Sequence, residues 1–117
     1  MNKTGFLFHP QYLQHDTKSH PENSGRLKAI QEKILPSKIY SQLHLPEPRR
    51  AIEDEIKENH NLNHIDHVRN SCLNGEQSLD GDTVICPDSW DAALLSAGAG
   101  LTAVDQIIYG QLNNAFA

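Results

Sequence analysis

The apolar positions of the chain fall into two periods. Near the N-terminus "TGFLFHP" alternates and is aromatic, which predicts a short strand closed by His9-Pro10. Residues 10–24 are polar and rich in turn formers, so a loop is expected, long enough to be functional. Leu27, Ile30 and Ile34 then recur at three- and four-residue steps, an amphipathic helix that Pro36 ends and Asn23 or Ser24 could cap. "SKIYSQLHLPEPRR" reads as an irregular connection, and "AIEDEIKE" as one helical turn with acidic residues near its start. "LNHIDHVRNSC" is a second helix, with Leu62, Ile65, Val68 and Cys72 along one face. "LNGEQSLDGDT" is a Gly- and Asp-rich loop.

The strongest helical pattern is "PDSWDAALLSAGAGLTAVDQIIYG", with Asp88 or Ser89 as cap and Gly110 as terminator. Ala92, Ser96, Ala99 and Ala103 form a small-residue face, while Leu94, Leu101, Val104 and Ile108 supply bulk on other sides. A helix apolar on more than one side belongs inside a larger body. "NNAFA" opens an apolar strand. Two or three partial strands alternating with three helices predict an α/β fold with a parallel sheet. So small a parallel sheet cannot cover both its faces, which implies part of a domain.

Composition narrows the function. The 117 residues carry ordinary globular composition and a net charge of −5, with only Arg49-Arg50 as a basic pair; nucleic acid is not expected as a partner. No stretch has the length or apolarity of a signal peptide or membrane span, so the expectation is a cytoplasmic protein with no membrane partner. Cys72 and Cys86 are expected to be buried thiols, not a disulfide.

Candidate chemistry is sparse. His60, His64 and His67 stand four and three residues apart near a helix, a spacing that could place imidazoles around one metal; ordinary hydrogen-bonding histidines are the simpler reading. No GxSxG elbow occurs, and "GAG" lies inside a helix and not after a strand. In "LDGDT", Asp80 and Asp82 flank Gly81; either could accept hydrogen bonds from a ligand's N–H groups, or both could merely build a turn.

Three stretches, "FHPQYLQHDTKSHPENSGRLKAI", "LDGDTVICPDSWDAALLSAGAGLTAVDQI" and "GQLNNAFA", in this order and spacing resemble the N-terminal third of the histone deacetylase superfamily. The likeness is to its class II and bacterial branch, with acetylpolyamine amidohydrolases and acetoin-utilisation proteins. The resemblance implies an arginase/deacetylase-like three-layer α/β fold with a parallel central sheet. It also implies, for the complete enzyme, zinc-dependent hydrolysis of acetyl-lysine or a small acetyl-amide. On that basis residues 1–117 are a partial domain. The segment bearing the catalytic His-His pair and the zinc ligands is expected downstream, so no catalytic or metal-ligating residue is assigned here and no zinc is expected on this chain. The substrate-binding positions that carry over are His20 and Pro21 in the first loop, Arg26 near the inner end of the substrate tunnel, and Asp80, with Asp82 beside it, at the rim. "QHDTKSHPE" has no cysteine, so the structural zinc of some class II relatives is not carried over. Self-association through an open sheet edge and the apolar helix is the rival expectation.

Overall fold

The computed structural model describes residues 2–117. Strand β1 (Thr4–Phe6) is followed by a short 3-10 helix over Pro10–Gln14, so the predicted loop starts with an ordered turn. Helix α1 (Gly25–Ile34) and a second 3-10 turn (Tyr40–Gln42) come next. They lead to α2 (Glu53–Lys57), α3 (Leu62–Leu73), α4 (Ser89–Ile108) and strand β2 (Asn114–Phe116).

The strands pair in parallel with Gly5 opposite Ala115, as the alternation of strand and helix predicts. A third line of backbone joins the other edge of β1. There the His44 carbonyl accepts from Phe6 N–H at 2.8 Å, and His44 N–H donates to the Thr4 carbonyl at 2.9 Å. Successive side chains of a strand face opposite ways, and this sheet uses both faces. On one, Leu7 and Ala115 pack on Ala99 and Ala103 of α4. On the other, Phe6 stacks on Phe116 with centroids 6.2 Å apart. Across a cleft of about 470 Å³ that face looks onto Ile30 and Ile34 of α1. Helices on both faces of a parallel sheet make the three-layer α/β arrangement expected from the sequence.

Of the cap candidates, only Asn23 makes its contact at a helix start. Ser24 stands at the N-cap of α1 without a capping bond, and Asn23 Oδ1 takes Gly25 N–H at 2.9 Å instead. At α4, Asp88 makes no capping bond, while Ser89 Oγ accepts from Cys86 N–H at 2.9 Å. Gly110 ends α4 at φ 71°, where the Gln106 carbonyl takes Gln111 N–H at 2.8 Å. Cys72 is fully buried and Cys86 half-buried; both are free thiols, so the expectation of two buried cysteines fails for the second.

A second side of α4, around Gly98, carries an uncommonly close approach. Residues 49–51 run along the helix, with Ala51 N–H donating to the Leu94 carbonyl at 3.0 Å and Arg49 N–H to Thr102 Oγ1 at 3.3 Å. A Cβ on Gly98 would lie 1.6 Å from the Arg49 carbonyl oxygen. The segment is anchored from outside by Arg49, whose guanidinium grips Glu55 at 2.8 and 2.6 Å. That bidentate contact, helped by Ile52 N–H, holds the Glu55 carboxyl down to about 2.

The bulky face of α4 and the free edge of β2 lie open. Ile108, Tyr109 and Phe116 are 72%, 77% and 61% exposed. The chain measures 46 × 32 × 17 Å with a radius of gyration of 15.8 Å, against about 13 Å for a compact domain of this length. It is a thin slab whose own residues do not cover it.

Gly98→Ala is expected to destabilise the fold by more than the roughly 1–3 kcal/mol of ordinary overpacking, because the obstacle is backbone. Gly100→Ala, where a Cβ meets nothing within 4 Å, is expected to be neutral or slightly stabilising. Urea denaturation of the two variants checks the contrast.

Candidate functional site

Two loops meet beside the N-terminus of α4. The first, residues 9–24, is held in shape by its own polar groups. Thr17 Oγ1 donates to the Glu22 carbonyl at 2.6 Å, and Asn23 Nδ2 donates to the carbonyls of His20 and Pro21 at 3.0 and 3.2 Å. Lys18 takes a left-handed backbone at φ 55°, steadied by Asp16 Oδ1, which accepts its N–H at 2.8 Å. A non-glycine residue in that region is uncommon, and such strain collects in functional loops.

The loop is bolted to α4 by two residues that sequence reasoning did not single out. Tyr12 donates its hydroxyl to the Leu95 carbonyl at 3.0 Å, and burial pushes its pKa up. His15 Nδ1 lies 2.7 Å from Ser89 Oγ, which also touches Cys86 Sγ at 3.4 Å. Asp16 N–H reaches the same sulfur at 3.4 Å. No local pattern announces these contacts, since the partners stand 83, 74 and 70 residues apart.

The second loop carries "LDGDT". Asp80 Oδ1 accepts from the N–H groups of both Asp82 and Thr83 at 2.8 Å. These bonds, that of Asp82 N–H foremost, favour the charged form and hold the Asp80 carboxyl below the usual aspartate range. Asp80 therefore builds the turn. Asp82, on the far side of it, is 93% exposed and reaches the first loop, its Oδ1 2.8 Å from His20 Nε2.

The sequence-derived site residues thus divide. His20 and Asp82 are brought together directly, Asp80 stands behind Asp82, and Pro21 follows His20 on the exposed loop. Arg26 does not join them. It pairs with Glu22 one helical turn away and lines a neighbouring cleft of about 290 Å³ with Tyr12, His15 and Leu27. His60 precedes α3, whose N-cap is Asn61, and lies against His64 with ring centroids 5.1 Å apart and the rings tilted by 32°.

Among the described residues no three His, Cys, Asp or Glu side chains gather as metal ligands, so the zinc that a deacetylase would need has no donor set here. No chemical step is derived through it. What the arrangement offers is a shaped loop, an outward carboxylate, and a histidine beside it. No helix is long and apolar enough to cross a membrane.

A parallel sheet between helices, with loops gathered over one end of the long helix, defines the opening part of a deacetylase-like α/β domain. Comparison with known proteins agrees: the histone deacetylase domain matches residues 20–117, and the chain belongs to that family. A probable deacetylase of Methanothermobacter thermautotrophicus is 33% identical over 99 residues, 85% of this chain and 29% of that protein. A probable deacetylase of Archaeoglobus fulgidus is 30% identical over 117 residues, 97% of this chain and 32% of that protein. A histone deacetylase-like amidohydrolase of Pseudomonas aeruginosa is 28% identical over 96 residues, 82% of this chain and 24% of that protein. The crystal structure of the HDA15 HD domain superposes with a TM-score of 0.92 at 24% identity, covering all of this chain and 35% of that one. The chain therefore spans about a third of the length of these relatives.

Asp80→Ala is expected to loosen residues 80–83, read as loss of amide protection at Asp82 and Thr83. Because folding depresses the Asp80 pKa from its ordinary 3.8, its contribution is present above pH 4 or so and lost as pH falls through the lower folded value. A carboxyl ¹³C titration of Asp80 checks the direction.

Proposed function

We propose that this chain is the N-terminal third of a zinc-dependent deacetylase-like amidohydrolase acting on acetyl-lysine or a related acetyl-amide. The observation that carries the reading is the joint extent of the likeness: a family match over residues 20–117, and a superposition that uses all of this chain but 35% of the other. In this reading the chain supplies the rim and not the reaction. Hydrolysis needs a polarised carbonyl, an activated water and proton-transfer groups. The metal-binding and His-His segments then belong to the rest of the domain.

Within the rim, Asp82 is the carboxylate that grips the substrate backbone. Asp80 has one oxygen committed to two backbone N–H groups, whereas Asp82 is open to solvent and makes one side-chain contact. An exposed carboxylate on an ordered turn is suited to accept N–H groups of a peptide. His20 and Pro21 shape the wall beside it, and Arg26 lines the neighbouring cleft at the end of the first loop. The protein is read as cytoplasmic, with acetylated substrate as its partner.

A second reading is favoured by one feature. Ile108, Tyr109 and Phe116 leave an apolar edge beside β2, and such an edge also invites pairing with a second copy.

The isolated chain is expected to release no acetate from acetyl-lysine peptides with or without added zinc; zinc-dependent turnover would show a complete site in these residues and end the proposal. Size-exclusion chromatography tests the edge. Elution is expected to shift to larger size as concentration rises and Phe116→Asp to suppress the shift, while a monomer at every concentration would count against self-association.

A further inference from the structure

We infer that His20 is a positioning residue for Asp82: its Nε2–H holds one carboxylate oxygen so that the other stays turned outward for a ligand's N–H donor. The inference rests on the reading of Asp82 as the rim carboxylate.

The ring is set from both sides. Glu22 N–H points at His20 Nδ1 at 3.0 Å, so Nδ1 accepts and, on the neutral ring, the proton sits on Nε2. Nε2 then donates to Asp82 Oδ1 at 2.8 Å. The Asp82 backbone cannot swing with its side chain, because its N–H is tied to Asp80. Exposure is lopsided: the imidazole is 22% exposed and the carboxylate 93%. The protein backs the ring and leaves the carboxylate free, as an orienting group and its client would require. The contact also spans 62 residues of sequence and links the two rim loops.

The charges around the ring are few. Asp82 faces it from the second loop and Glu22 from its own; Glu22 is itself paired with Arg26, and Asp80 is engaged in the turn. The hydrogen bond to the Asp82 carboxylate raises the His20 pKa above the ordinary 6.5. Desolvation of the ring opposes its charged form, but the carboxylate prevails. The sign follows: the charged pair is fully formed below the ordinary value and is lost as pH rises through the higher folded one. At low pH the imidazolium offsets the Asp82 charge. Above the raised folded pKa the neutral Nε2–H donor aims the carboxylate and leaves its charge for the ligand.

Ring ¹⁵N and side-chain coupling measurements on the 117-residue chain test this without substrate or metal. Wild type is expected to show His20 as the Nε2–H tautomer with a raised pKa, which Asp82→Asn returns to the ordinary histidine range while the other histidines keep theirs. The χ1 couplings of Asp82 are expected to report one rotamer in wild type and in His20→Gln, which keeps an N–H donor, and rotamer averaging in His20→Phe. An unchanged His20 titration in Asp82→Asn, or a single Asp82 rotamer in His20→Phe, would overturn the inference. The functional reading fails on a different result, zinc-dependent turnover by the isolated chain, so the two failures are told apart.

Discussion

The structure depends on one approach of backbone to backbone. The 49–51 segment lies so near α4 at Gly98 that a single methyl group would collide with the Arg49 carbonyl. Only a helix with small residues there can accept the segment. On another side of the helix, Ala99 and Ala103 let the sheet come down onto α4 through Leu7 and Ala115. Close packing of this kind leaves no slack, because interiors have few voids into which a misfit can relax. The long helix thus becomes a fixed rail, and what is attached to its N-terminal half takes its place from it.

The two loops that meet beside the N-terminus of α4 are attached in that way. Tyr12 and His15 fasten the first loop to Leu95 and Ser89, and Cys86 at the helix entry joins the same polar cluster. The second loop enters α4 directly. Both loops are therefore referenced to one rigid element, which is how two exposed segments 62 residues apart can hold a 2.8 Å contact between His20 and Asp82. Loops positioned by a rigid scaffold are where binding groups usually sit. The division of labour between Asp80 and Asp82 follows the same logic: one carboxylate is consumed in building the turn, and the other is presented by it.

The open side of the slab is the counterpart of this order. Val104, Ile108 and Phe116 are exposed, while Ala92, Ala99 and Ala103 of α4 are buried. A helix apolar on more than one side has been satisfied on one of them. The relatives that the chain matches are about three times as long as it is.

Much of this was legible in the residues. The three-residue rhythm of Leu27, Ile30 and Ile34, the small-residue steps along α4 and the alternation of "TGFLF" determine helices and strands, because local periodicity reports which side of an element is buried. The order of strand and helix determined a parallel sheet, and three motifs in sequence pointed to the family. Three things were decided only in the tertiary structure. Asp80 and Asp82 are chemically identical and two residues apart, so which is spent and which is free depends on where the turn places its N–H groups. Asn23 and Ser24 are equally good caps on paper, and only the folded backbone brings Asn23 Oδ1 to Gly25 N–H, while Asp88 makes no capping bond at α4. The pairing of His20 with Asp82, and of His15 with Ser89, joins residues too far apart for any periodicity to relate, because such contacts exist only after the sheet and α4 have fixed the distance between the loops that carry them.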